Sequence, residues 1–135
     1  MESHPPYAIS RTVALPFDQA DQRIRDALGG EGFGVLTEID VRTTLKKKID
    51  VDVPRYAILG ACIPRLAYQA ILCEADVGLL LPCNVIVREV DGGHTVVAAL
   101  DPVQQLKLSG NAALEPIAGE VRERLARAVA RVAEG

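Results

Sequence analysis

The side chains best suited to chemistry are the cysteines, and Cys62 has the most suggestive setting. It closes the strand-like run Arg55–Cys62 and stands just ahead of Pro64-Arg65, where a helical pattern begins. A thiol near the free N–H groups of a helix start has its thiolate stabilised, and a neighbouring guanidinium adds to the effect. Cys62 is therefore the candidate catalytic or redox thiol, with Arg65 as its charged neighbour. The competing reading is plain packing, since cysteine is among the most buried residue types. Cys83-Asn84 opens a second position of interest in the next strand-like run. If the two runs are neighbours, Cys62 and Cys83 approach each other and could form a redox pair. A disulfide between them needs a Cα separation of about 4.4–6.8 Å. There is no CxxC or HxxxH spacing, and His4 and His94 are the only histidines, so neither a metal nor a cofactor is expected. Cys73 falls within a helical pattern and reads as packing.

The acids Glu38, Asp40 and Asp101 sit on or at the ends of strand-like runs. Paired carboxylates do acid–base work when their surroundings push their pKa values apart. The alternatives are ordinary exposed charge for Glu38 and Asp40, and turn initiation for Asp101-Pro102. The glycine-rich Gly29–Gly34 looks like a phosphate loop, but it follows a helix and leads into a strand. Phosphate loops precede a helix, so that N–H groups point at the anion. A helix stop plus a turn is the expectation here. The basic run Lys46-Lys47-Lys48 reads as a solvated helix face. No nucleophile elbow, zinc-protease helix or dinucleotide fingerprint is present.

These residues must be positioned by the surrounding elements. Tyr7–Leu15 alternates bulky with small side chains, as a strand with one covered face does. A helix follows over Phe17–Gly29, with Ala20, Ile24, Ala27 and Leu28 on one stripe. Phe33–Val41 is a strand and Thr43–Ile49 a short helix with Val41, Leu45 and Ile49 aligned. Arg55–Cys62 is the third strand. Pro64 then starts a helix predicted to run to Asp76, with Leu66, Ala67, Ala70 and Ile71 inward. Leu79–Val90 and His94–Leu100 form a hairpin about Asp91-Gly92-Gly93, whose glycines permit positive φ. Pro82 marks an edge or bulge. Val103–Gly110 is a connector. The last helix covers Ala112–Ala133, capped by Asn111 or beginning only at Glu115 because of Pro116. The order β-α-β-α-β-α-β-β-α predicts a two-layer α+β domain with helices on one face of the sheet. A doubly wound parallel sheet fits less well, because these strands alternate instead of being apolar throughout.

At 135 residues, 49% apolar and 24% charged, the chain has globular composition. That length suits a single domain over residues 7–135 behind a flexible tail, Met1–Pro6. The net charge of −3 and the absence of a basic patch argue against nucleic acid. No secretory signal or membrane-length apolar run occurs, which makes a cytoplasmic location, with reduced thiols, the default expectation.

Five segments occur in a characteristic order: GFGVLTEIDV from Gly32, YAILGAC from Tyr56, LAYQAI from Leu66, GLLLPCNVIV from Gly78 and ALDP from Ala99. Together they resemble the domain-of-unknown-function 302 family of small bacterial and archaeal proteins. The resemblance implies a TATA-binding-protein-like α+β fold, with a mainly antiparallel, five-stranded curved sheet packed against a long C-terminal helix. It also implies a homodimer, and no established activity. Relatives commonly carry a small polar residue after the LGAC cysteine, where this chain has Ile63. The expected functions are a small-molecule ligand-binding module with its ligand held between the curved sheet and the long helix, a non-catalytic interaction protein using an exposed sheet edge or face, or a thiol-dependent redox protein or enzyme using Cys62 with Cys83. The candidate ligand-binding residues are Cys62, Arg65, Cys83, Asn84, Glu38 and Asp101.

Overall fold

In the computed structural model, which describes residues 4–133, one antiparallel sheet carries all five strands in the order β1-β5-β4-β3-β2. The strands are β1 (Ala8–Val13), β2 (Gly34–Asp40), β3 (Tyr56–Cys62), β4 (Cys83–Asp91) and β5 (His94–Leu100). The helices are α1 (Phe17–Gly30), α2 (Val41–Ile49), α3 (Pro64–Cys73), α4 (Pro102–Leu106) and α5 (Glu115–Val132). The expected α+β class, antiparallel sheet and one-sided helix layer are all present. Among the described residues, no helix is long and apolar enough to cross a membrane.

Strand alternation decides which face the helices cover. On β3, β4 and β5 the residues Ala57, Leu59, Ala61, Val85, Val87, Val97 and Ala99 point inward and are buried. Against them pack Ala20, Ile24 and Leu28 of α1 and Val121, Leu125 and Val129 of α5, within the same core cluster. Both helices place apolar residues at helical period, so each buries one stripe and leaves its charges outside. The bulky face of β1, with Ile9 and Val13, joins this core, while Ala8 and Ser10 face the other way.

The loops depart from the sequence reading in several places. Helix α3 stops at Cys73, not Asp76, because Glu74 is extended (φ −156°, ψ 111°), and Ala75–Leu80 is a 3-10 segment. Strand β4 accordingly starts at Cys83, with Pro82 outside the ladder, where its missing N–H costs nothing. The expected connector holds α4, which Asp101 caps by accepting from the Val103 N–H at 2.9 Å. Asn111 caps the 3-10 turn Ala112–Leu114, and the regular helix begins at Glu115. Gly29 and Gly30 stay helical, and Gly32 takes the left-handed turn at φ +91°. Neither hairpin glycine adopts positive φ; the Asp91 carboxylate closes that turn by accepting from the Gly93 N–H at 2.9 Å. A register shift between Val35 and Thr37 breaks the even alternation expected along β2. The aligned residues of α2 find no core, since this helix buries none of them. Of the expected tail, Met1–Ser3 lie outside the described residues, and the Pro5 carbonyl accepts from the Ala8 N–H at 3.0 Å.

One polar cluster joins the two covering helices. Glu31, at the end of α1, is buried at 7% exposure. Its carboxylate accepts two bonds from Arg127, at 3.1 and 2.9 Å, and one from Arg131 at 3.2 Å. Arg124 donates to the Glu31 carbonyl at 2.9 Å. These three arginines lie on one face of α5, so the carboxylate fastens that helix to the end of α1. The Arg127 hydrogen bonds, with the charges of Arg127, Arg131 and Arg124, hold the Glu31 carboxyl below its ordinary 4.5 against the opposing effect of burial. A depressed folded-state pKa stabilises the fold above the unfolded value, and that stability is lost as pH falls through the folded value. Glu31→Gln is expected to lower unfolding free energy at pH 7 by about 1–3 kcal/mol. The gap to wild type should close as pH falls from about 5 toward the lower folded value. Urea denaturation at several pH values measures this; a gap independent of pH would contradict it.

Candidate functional site

The six expected site residues do not converge on one point. Strands β3 and β4 are neighbours, with Ala61 opposite Cys83 and Gly60 opposite Asn84. Cys62 is thus offset by one residue from Cys83, and alternation directs the two side chains to opposite faces of the sheet. Both are free thiols. Both border a small apolar cavity of about 30 Å³ at the strand ends, with Phe33, Leu66 and Val121 among its other walls. That volume admits one or two waters and no larger molecule.

Burial works against the thiolate form at both cysteines. Burial pushes the Cys62 thiol up from its ordinary value. Burial also pushes Cys83 up to about 11, and the nearby Cys62 adds to the shift. Arg65 forms an ion pair with Glu120 on α5 at 3.1 Å. Cys73, expected to be packed, is exposed at the last residue of α3, where the helix ends sooner than predicted. Among the described residues, no group of three or more His, Cys, Asp or Glu side chains is placed to hold a metal.

The carboxylates have structural partners. Arg25 of α1 bonds Glu38 at 2.7 Å and Asp21 at 3.0 Å. Asp40 caps α2 by accepting from the Thr43 N–H at 3.0 Å, and that bond leads the causes lowering its pKa. Asp101 is buried; besides capping α4 it pairs with Arg122 of α5 at 3.0 Å. Glu38 and Asp101 are therefore committed to fastening elements together.

Asn84 faces the uncovered side of the sheet, which has a definite relief. In the row through its centre, Ser10, Ala98, Ile86, Ile58 and Ile39 lie side by side across all five strands. A parallel row holds Thr12, Val96, Arg88 and Tyr56. Ala8 pairs with Leu100 on the other side of the centre, and Asn84 pairs with Gly60. Open faces of antiparallel sheets are ordinarily polar; this one is apolar along its midline. It forms a concavity of about 300 Å³ lined by Tyr7, Tyr56, Asn84, Ile86, Arg88 and Ala98, with His4 and Pro5 at its rim. Val96 lies on this face yet is only 2% exposed. The Ser10 hydroxyl is buried there and finds no hydrogen-bond partner among the described residues.

Gly60 shows how closely this face is built. A Cβ at that position would run into the Thr37 hydroxyl and come within 2.8 Å of the Pro82 ring. The glycine of the LGAC segment lets Thr37 and Pro82 close over the end of β3. A larger hollow of about 400 Å³ lies beside α4 and the start of α5. One of its polar walls, Asn111, is already engaged with the Ala113 N–H and with Glu74.

The family profile described as "Domain of unknown function DUF302" matches residues 9–132. The chain belongs to the DUF302 family. The crystal structure of an uncharacterized conserved DUF302 protein from Bacillus stearothermophilus superposes with a TM-score of 0.86 at 26% identity. That alignment covers 95% of this chain and 99% of the other. No curated protein matches the chain. The family description assigns no activity, so the function of this DUF302 protein must be argued from its own surfaces.

Of the residues lining the open-face concavity, only Asn84 is among the candidates drawn from the sequence. Their signal was present: the outward positions of β4 and β5 include Ile86, Val96, Ala98 and Leu100, where an exposed face would carry polar residues. The thiol geometry generates its own expectation. Alkylation by iodoacetamide, mapped by peptide mass spectrometry, should label Cys73 first. Cys62 should react slowly, with an inflection above the ordinary ~8.5, and native Cys83 should stay unlabelled. Fast labelling of Cys62 below pH 8 would restore the activated-thiol reading.

Proposed function

We propose that this DUF302 protein is a small-ligand-binding module whose site is the concavity on the open face of the sheet, and that it works as a homodimer in the cytoplasm. The observation that carries the reading is the apolar midline of that face, flanked by Tyr56, Asn84, Arg88 and Ser10. Ligand sites characteristically combine an apolar bed with a few placed polar groups. A rigid sheet holds such groups in fixed positions without needing a loop to close. The cavity at Cys62 and Cys83 supports a ligand less well, since its volume is about a tenth as large (about 30 against 300 Å³).

The thiol-dependent alternative has weaker support. Its nucleophile is disfavoured as a thiolate by burial, and Arg65 is held by Glu120. The homodimer is supported by exposed apolar side chains on α3 and the turn after it: Tyr68, Ile71, Leu72 and Leu79. Clusters of this kind commonly mark protein contacts. Three unpaired cysteines suit a reducing compartment.

N-phenyl-1-naphthylamine, a neutral apolar dye, tests the site. It should bind the wild-type protein with increased fluorescence, and Ala98→Phe, which fills the centre of the concavity, should weaken binding by about tenfold or more. Circular dichroism checks that the variant is folded. Equal binding by both proteins, or none by the wild type, contradicts the site. Sedimentation of the wild-type chain at micromolar concentration should give the mass of a dimer; a monomer contradicts that part of the proposal.

A further inference from the structure

We infer that the ligand of the open sheet face is a neutral, largely apolar molecule whose one hydrogen-bond-accepting group, such as a carbonyl, seats on the Ser10 hydroxyl. This deepens the ligand-binding reading above and rests on it. The first observation is the Ser10 side chain itself. Its oxygen is buried and has no hydrogen-bond partner among the described residues. Buried polar groups are nearly always satisfied, so an orphan lining a hollow points to a partner that is not part of the chain. A hydroxyl donates one hydrogen bond, and a neutral carbonyl oxygen accepts it.

The second observation is charge. No Asp or Glu lines the concavity among the described residues. Its one arginine, Arg88, already has an interaction partner and is not free to take a ligand's charge. Tyr7, Tyr56 and Asn84 add hydroxyls and an amide, groups that hydrogen-bond without a charge. An ionised ligand would lose water on this bed and gain no counter-charge, which costs far more than seating a neutral group.

The third observation is placement. Ser10 stands opposite Ala98 on β5, and Ala98 stands opposite Ile86 on β4. The hydroxyl therefore ends a row whose next two members are apolar, a reach of about 10 Å over two strand spacings. Ala8 and Ala98, beside Ser10 in the hollow, are small, which leaves room next to the hydroxyl. A ligand with its carbonyl at Ser10 lays its apolar body over Ala98 and Ile86.

Displacement of N-phenyl-1-naphthylamine by octan-2-one, sodium octanoate, octylammonium chloride and toluene tests the class. Octan-2-one should displace the dye at concentrations about tenfold lower than either ion. Ser10→Ala, its fold checked by circular dichroism, should weaken octan-2-one about three- to tenfold, the loss of one neutral hydrogen bond. Toluene has no carbonyl to receive that bond, and it should compete equally on both proteins. Equal competition by the ketone and either ion overturns the neutral class. A ketone that binds wild type and Ser10→Ala alike overturns the seat on Ser10, as does an equal loss for toluene. These results leave the concavity standing as a site. Failure of the dye to bind the wild-type protein overturns the ligand-binding reading beneath it.

Discussion

A five-stranded sheet has two faces, and the helices of the described residues cover one. That constraint organises the remainder of the molecule. Buried apolar area is the main favourable term in folding, and α1 and α5 supply it on the inner face alone. Everything else must fasten those two helices to the sheet and to each other. Glu31 does so between α1 and α5, Asp101 between α4 and α5, and Glu38 between α1 and the edge strand β2. The acids that looked available for chemistry are thus occupied in holding the covering layer in place.

The uncovered face is the other consequence. A sheet edge or face that meets water is usually made polar. Here the outward row from Ala98 to Ile58 is apolar, and Val96 is almost fully shielded on the same side. Gly60 gives up its side chain so that Thr37 and Pro82 can close over the strand end. Such construction is not required by the core, which lies on the opposite side. It is what a binding surface on a rigid sheet would need.

Much of the architecture was legible in the residues. The apolar residues of α5 from Ala118 to Val132 recur at helical period, and they are the ones buried. Ile9 and Val13 of β1 turn inward and Ala8 and Ser10 outward as expected, while Tyr7 precedes the strand and lines the open face. The places where local reasoning failed each have a physical cause. Glu74 takes an extended backbone and ends α3 early, which no propensity at that position announced. Arg127 of α5 reaches across to Glu31 at the end of α1, a contact the local reading of the last helix did not include. The spacing of Arg124, Arg127 and Arg131 on one helix face was a readable sign that an acid would meet them. At the candidate thiol the surroundings lay beyond what local spacing shows. Sequence placed Cys62 near a helix start and beside Arg65, but it could not show that Arg65 pairs with Glu120 or that burial pushes the thiol up. The space between sheet and long helix, where a ligand is expected from sequence, is filled by core side chains, and the apolar row of the open face is spread over five strands, so no short motif contains it.

The claim at the centre of this account is that the open face of the sheet is the working surface. Methyl-resolved NMR of the wild-type protein during titration with N-phenyl-1-naphthylamine tests it most directly, since an aromatic ring shifts the methyl groups it lies against. The account predicts progressive shifts at Ile58, Ile86, Ala98 and Leu100, with Leu66 beside the thiol cavity and Leu72 on α3 unmoved. Shifts confined to Leu66 or Leu72, with the sheet-face methyls silent, would contradict it.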